Sequence, residues 1–376
     1  MKIAIFTDTF LPDVNGVVTS VVNATRMLSN KGHKIYIFTS DKAIKLKLEK
    51  NMEIHGFKKL KFLKYPDFWL SAPRFIKCLK RIKKIKPDII HVHIPSFLGY
   101  SAILCSKTFK IPLVATYHTL LPNFLRYLPL PKAERIKIMK DAAWFWTRRF
   151  YNRCDLVTTP SNAMKKILAK HRIKKPIKVL SNGVDTNIFK PKKINKTGKK
   201  LLHVGRMSHE KNIDLVLKAF KLVLNKKPNT ILQIAGHGPE LERFKDLTRK
   251  LKIGKNVKFL GVVRDNRLVN LYQSSDIFIT ASTIETEGIV VLEAMACGLP
   301  IVGVNALAVP EIVKHNVNGI IANPNNEKEL ADSTLKLLEN KDLREKFGKE
   351  SLKIVKEYDL NIIINKLEKI YKNLLS

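Results

Sequence analysis

The chain has 376 residues, 45% of them hydrophobic, and 69 Lys and Arg against 32 Asp and Glu give a formal charge of +37. That length exceeds one ordinary core and calls for two domains, while no apolar run nears the roughly 18 residues of a membrane-spanning helix. The cysteines Cys78, Cys105, Cys154 and Cys297 stand far apart with no metal spacing, which argues for reduced thiols in a cytoplasm rather than a disulfide scaffold. So large a charge favours an anionic partner: nucleic acid, anionic lipid or a phosphorylated substrate. Lysines spread over surface helices are equally the mark of compositional bias or of life at high temperature.

The N-terminus, MKIAIFTDTF, is a strand pattern running into a polar turn, with no positively charged leader. KIAIFTD, HKIYIFTS, DIIHVHI, PLVATYH, DLVTTPS and IKVLSNGV succeed one another as strands, with helical patterns such as 17–31 and 73–86 between them. A lysine-rich passage near 190–199 interrupts this rhythm. It restarts with KLLHVGRM, TILQIAG, NVKFLGVV, DIFITAS, PIVGVNA and NGIIAN. Alternating strands and helices imply parallel sheets covered on both faces, hence two doubly wound α/β domains. The expected limits are 1–190 and 191–355, with 356–376, which holds the amphipathic EYDLNIIINKLEKIYKNLL, packing back across the junction. Ligands of such sheets bind at the carboxyl ends of the strands, and two facing sheets make a cleft.

The polar residues of interest sit at those ends. After the first strand, Asn15-Gly16 opens a helix, where unpaired amides and partial charge favour an anion; an Asn-Gly pair also serves simply as a turn. It is not GxGxxG, so a dinucleotide site is disfavoured. In HVGRMSHEKN the order is strand, Gly205-Arg206, Lys211-Asn212, helix. Arg206 by its fork and Lys211 as a point charge can converge on one diphosphate, or both can be solvated surface cations. In STIETEGIVVLEAMA a helix beginning near Gly288 would open its first amides to a phosphate. Glu285 on the preceding loop and Glu293 one turn inside the helix would then flank that phosphate. Carboxylates accept hydrogen bonds from hydroxyls, of which sugars are made. The plainer alternative is a helix-dipole acid at 285 and a solvent-facing one at 293.

Together these segments resemble the retaining glycosyltransferases of family 4, whose GT-B fold sets two Rossmann-like doubly wound domains across a cleft. The match runs nearly the whole chain, on Asn15-Gly16-Val17, SNGVD at 181–185, GRMSHEKN at 205–212, GHGPE at 236–240 and the Glu-x7-Glu element from Glu285 to Glu293. The resemblance implies that Gly16, Gly205, Arg206 and Lys211 hold the diphosphate of a nucleotide-sugar donor, helped by the amides of Gly288, Ile289 and Val290. It implies that Glu285 binds the hydroxyls of the transferred sugar, Glu293 the ribose, and Val263 and Arg264 the base. His118, in TYHT, falls where the family places a histidine beside donor and acceptor, so His118, Glu285, Arg206 and Lys211 form the expected catalytic set. His91 and His93 have no such match and are expected to be structural. The family's chemistry is front-face substitution assisted by the leaving phosphate. No Asp-x-Asp element appears, so no metal and no other cofactor is expected.

The acceptor expected is a lipid. ETEG and TYHTLLPNFLRYL are similar to the diacylglycerol glucosyltransferases, and TDTFLPDVNGV to glycolipid mannosyltransferases. Separately, 58–86 and 144–153 interleave cations with Trp, Phe and Leu, as an anionic membrane surface requires, although some of those rings must be core. Peripheral attachment on the cytoplasmic face is the resulting expectation. Donors carrying UDP-glucose, UDP-galactose or GDP-mannose all fit, as does a soluble sugar or sugar-phosphate acceptor. A nucleic-acid-binding protein is supported by charge alone, since no helix-turn-helix, zinc or RNP signature appears.

Overall fold

The computed structural model describes residues 1–376 except 14, 41–49, 62–68, 72–74, 126–135 and 194–197. It divides into two compact units, Met1–Ser181 with Asn361–Ser376, and Asn182–Leu360. The limits expected from sequence, 190/191 and 355/356, thus stand against 181/182 and 360/361.

In the first unit seven strands run in the order Met52–Phe57, Lys34–Ser40, Lys2–Phe6, Ile89–Val92, Leu113–Thr116, Leu156–Thr159, Ile177–Val179. Every neighbouring pair is parallel. The central strands are buried at every residue, as expected of a parallel sheet covered on both faces. Register is set partly by acids that precede strands. Asp88 accepts from the Lys2 amide at 2.7 Å and Asp155 from the Leu113 amide at 2.8 Å. In the second unit Asp276 does the same for the amides of Lys199 and Lys200 at 2.9 and 2.8 Å.

The second sheet has six parallel strands in the order Val257–Gly261, Ile231–Ala235, Lys200–Val204, Ile277–Ile279, Ile301–Val304, Gly319–Ala322. Alternate strand residues feed two cores on opposite faces. Leu201, Ile277 and Ile279 join one cluster, Leu202 and Phe278 the other. Both sheets reverse strand order once, between Lys2–Phe6 and Ile89–Val92 and between Lys200–Val204 and Ile277–Ile279. Such switch points are where open α/β sheets bind ligands.

Every strand read from the sequence is present. Met52–Phe57 is an addition: Glu53 and His55 break its apolar pattern, and only an edge position accepts that mixture. A short antiparallel pair, Lys59–Lys61 with Trp69–Ser71, lies inside the basic 58–86 segment, much of which falls outside the described residues. The last helix, Leu360–Leu375, buries Ile363, Ile364, Leu367, Ile370 and Tyr371 at helical spacing. Its Glu368 meets Lys31 at 3.0 Å, within the first unit. The four cysteines are free and buried.

Candidate active site

The loop bearing Arg206 is held by glycines elsewhere. The amide of Gly205 donates to Ala235 at 3.0 Å, that of Met207 to His237 at 3.1 Å, and that of Glu240 to Met207 at 2.9 Å. Gly236 takes φ +141, and a Cβ on it would lie 1.8 Å from the Gly205 oxygen; one on Gly238 would lie 2.4 Å from the Met207 oxygen. GHGPE is therefore the mould into which the half-buried Arg206 loop is pressed. A short turn, His209–Lys211, ends at Asn212 with φ +48, a conformation asparagine tolerates. The Asn212 side-chain amide donates to Ala281 O at 3.2 Å and to Thr283 Oγ1 at 3.4 Å. This ties the loop to the segment leading into Glu285.

That tie brings two expected site residues together. Lys211 Nζ lies 2.5 Å from Glu285 Oε1, with side-chain exposures of 21% and 12%. Burial pushes the Glu285 carboxyl up, but the charge and hydrogen bond of Lys211, with Ser282, outweigh it and hold the group below its ordinary range. Beside them the buried His203 donates Nδ1–H to Ile279 O at 3.0 Å. Burial lowers its pKa to about 4, so this imidazole adds no charge near neutrality.

The helix Ile289–Ala296 begins after Gly288, whose φ of +99 turns the chain into it. The first amides of any helix lack an acceptor within it, so those of Ile289 and Val290 suit an anion. Glu293 is buried, not solvent-facing, and its carboxylate accepts the Tyr272 hydroxyl at 2.7 Å. Burial raises its pKa to about 7, against the pull of that hydrogen bond. Glu287, also buried, accepts from the Asn182 backbone amide at 3.1 Å and from its side chain. The Asn of SNGVD thereby anchors the start of the second unit to the acidic loop.

Val263 packs with Val290 against one core cluster, and Arg264 is exposed at the start of the helix Asp265–Gln273. The remaining expected residues belong to the first unit. Gly16 opens the helix Gly16–Asn30, capped by Asn15 accepting from the Val18 amide at 2.9 Å. His118 is buried, and its Nε2 lies 2.9 Å from His93 Nδ1. Asn182, Asn212, Tyr272, Glu287 and His93 have no site role by sequence alone. The asparagines lie inside SNGVD and GRMSHEKN, Glu287 inside ETEG and His93 inside HVH, whereas Tyr272 carries no signal beyond an apolar helix position.

Among the described residues, no group of three or more His, Cys, Asp and Glu could hold a metal ion. No helix among them is long and apolar enough to cross a membrane.

Two Rossmann-like units of parallel strands, with Gly16, Arg206, Lys211 and Glu285 following strands at the switch points, have the GT-B fold of a class of glycosyltransferases. Residues 14–188 match the family Glycosyltransferase Family 4 and residues 184–353 match Glycosyl transferases group 1. Alpha-monoglucosyldiacylglycerol synthase of Streptococcus pneumoniae is 32% identical over 80% of this chain and 70% of its own. The enzyme of that name from Acholeplasma laidlawii is 26% identical over 100% of this chain and 98% of its own. In fold, sucrose-phosphate synthase of Thermosynechococcus elongatus superposes with a TM-score of 0.83 at 18% identity, over 99% and 98% of the two chains. The chain belongs to the family 4 glycosyltransferases.

Proposed function

We propose that this glycosyltransferase moves a hexose, with retention of configuration and without a metal, from a nucleoside-diphosphate sugar to the hydroxyl of a membrane lipid of the diacylglycerol or glycolipid kind. The observation that carries this is the contact of Lys211 with Glu285 beside the helix start at Gly288. One switch point thus offers a cation and open amides for phosphate, and a carboxylate for hydroxyls. Arg206, Lys211 and the amides of Gly288, Ile289 and Val290 take the diphosphate, with Gly205 and Gly16 leaving it room. Glu285 takes the sugar hydroxyls, Glu293 the ribose, and Val263 and Arg264 the base.

In the reaction the bond from the sugar's anomeric carbon to the phosphate oxygen breaks. The acceptor oxygen bonds to that carbon on the same face, and its proton passes to the departing phosphate. On this reading His118 acts beside the reacting groups. Fixed cations and amides stabilise the charge that develops on the diphosphate, so no carboxylate nucleophile is needed.

The lipid acceptor is supported by the two relatives, whose names state a monoglucosyldiacylglycerol product, and by the surface of the first unit. Along 144–153, Trp144 stacks on His171 at 3.6 Å and Phe150 and Tyr151 are core, but Phe145 is 57% exposed beside Trp146. Ile138 and Ile76 are 73% and 70% exposed on helices carrying Lys77, Lys80, Lys137 and Lys140. Apolar tips among cations suit an anionic bilayer, which supports peripheral attachment at the cytoplasmic face.

The experiment is a transfer assay with UDP-glucose, UDP-galactose and GDP-mannose in turn, in chelator. Diacylglycerol is supplied in anionic or in neutral vesicles, with free sugar and sugar phosphate as the soluble alternatives. We expect one donor to give a lipid product, faster on anionic vesicles. Transfer to the soluble acceptors alone would remove the lipid assignment, and loss of activity in chelator would remove metal independence.

A further inference from the structure

The first unit contains a histidine layer that the proposed reaction uses only in part. The strands Ile89–Val92 and Leu113–Thr116 are neighbours, with His91 opposite Val114 and Val92 opposite Ala115. His93 and His118 lie just past their carboxyl ends and meet there. His93 Nδ1 stands 2.9 Å from His118 Nε2, with ring centroids 5.2 Å apart and planes within 19°. A hydrogen bond between two imidazoles needs a proton on one nitrogen and a lone pair on the other. Burial lowers both pKa values, that of His118 to about 4, so near neutrality the pair is uncharged and shares a single proton across the contact.

The layer continues away from His118. The ring of His91 lies 4.2 Å from that of His93. Its Nδ1 meets the Tyr371 hydroxyl and its Nε2 the Thr116 hydroxyl, both at 2.6 Å, and Thr116 in turn meets Thr158 at 2.7 Å. Both nitrogens of His91 are thus engaged by the fold, and the last helix contributes one of the partners. His91 is the fixed floor on which His93 rests.

We propose that His93 is the positioning residue of His118: its Nδ1 couples to the His118 Nε2, one nitrogen donating and the other accepting, and holds the ring in one plane. This rests on the placement of His118 beside donor and acceptor, and assigns His93 a part in the reaction that reaches the substrate only through His118. The coupling matters because the nitrogens of a neutral imidazole are not equivalent: one donates, the other accepts.

The test compares four variants in the transfer assay, with nitrogen NMR of the His118 side chain as a second measurement. His93→Phe keeps a ring and loses the nitrogen. His93→Asn puts an amide where Nδ1 stands, and His93→Gln puts one nearer the place of Nε2. We expect His93→Phe to lower kcat roughly 10–100-fold, by analogy with the partners that orient metal-bound histidines, with donor KM within about twofold. His93→Asn should recover most of the loss and His93→Gln little, while the His118 ring-nitrogen signals shift in the Phe and Gln variants and return toward the wild-type positions in the Asn variant.

His118→Ala separates the two levels. If it is impaired while His93→Phe turns over normally with unchanged His118 signals, the positioning role is overturned and the placement of His118 stands. If His118→Ala is itself fully active, the placement falls and the proposal with it. Should His93→Phe fail to fold, equal activity of the Asn and Gln variants would count against the proposal, and rescue by Asn alone would support it.

Discussion

At the carboxyl ends of its strands the first unit gathers neutral imidazoles, whereas the second gathers formal charge. His93 and His118 are buried and depressed in pKa chiefly by that burial, the neighbouring imidazoles adding to it at His93. Glu285 is held ionised by Lys211, the two side chains standing 2.5 Å apart and each retaining some solvent. An isolated buried base gives up its proton, while an ion pair at a partly wet sheet end can stay ionised. The difference suits the division of labour proposed for the halves. A departing diphosphate needs fixed positive charge, whereas a group beside an acceptor hydroxyl, with a pKa near 4, works as an oriented hydrogen-bonding partner and not as a stored cation.

The largest effect that would sharpen this contrast comes from Lys211→Ala. It leaves the Glu285 carboxylate without its cation, which for a buried pair costs several kcal/mol; because both side chains keep some exposure we expect about 2–3 kcal/mol. The double variant Lys211→Ala with Glu285→Gln should recover much of that loss. Glu285 has a depressed pKa, so the stabilisation it draws from Lys211 is present above the ordinary carboxylate value of about 4.3 and lost in acid below it. Chemical denaturation at about pH 4 and pH 7.5 reads this: the gap between wild type and Lys211→Ala should be wide at the higher pH and narrow at the lower. Arg206→Ala and Lys211→Ala should each weaken nucleoside-diphosphate binding by roughly 10–100-fold, one charged hydrogen bond. Unchanged affinity by calorimetry in both would mean that charge in the second unit serves the fold alone.

Next in size is Glu285→Gln. The amide keeps the shape and loses the negative charge proposed to accept sugar hydroxyls, so kcat should fall roughly 10–100-fold while the affinity for the free nucleoside diphosphate changes little. This is the reverse of the Lys211 pattern, where binding falls as well. Steady-state kinetics with the productive donor, beside calorimetry with the diphosphate, separate the two. Normal turnover would show that the acid is there only to steady Lys211.

Much of this arrangement is legible in the residues alone. The strands are readable because parallel strands are buried on both faces and therefore run apolar from end to end. The candidate ligand residues can be picked out because they stand in the loops just past those strands. Met52–Phe57 escapes because an edge strand may carry Glu53 and His55. The partnerships are not legible, because they join residues remote in sequence. Lys211 and Glu285 are 74 positions apart, Asn182 and Glu287 are 105, and Tyr272 and Glu293 are 21. His93 and His118 become neighbours only once their strands are known to be adjacent. Residue types and strand ends determine where polar groups gather; strand order decides which of them touch.

The smallest expected effect distinguishes the two acids of the second unit from each other. Glu285 is held below its ordinary pKa and Glu293 is raised to about 7 by burial, the Tyr272 hydroxyl offsetting this only in part. Their pH signatures must therefore be opposite. The folded chain holds the Glu293 proton more tightly than the unfolded chain, where the carboxyl titrates near about 4.3. Its contribution to stability is thus full below that value, declines as pH rises toward about 7, and stays low beyond. Glu293→Gln keeps an acceptor for the Tyr272 hydroxyl and removes the titration. It should match the wild type near about pH 4 and exceed it by about 1–3 kcal/mol at pH 8. Nucleotide affinity should move the other way: the ionised carboxylate is the better acceptor for ribose hydroxyls, so the variant should bind about 3–10-fold more weakly at pH 8, with the gap closing below about pH 7. Taking wild type minus variant at each pH cancels the titration of the nucleotide's own phosphate. A difference that stays constant from about pH 5 to 8.5 in both measurements would mean that Glu293 does not titrate in this range, and the contrast between the two acids would then have to rest on geometry alone.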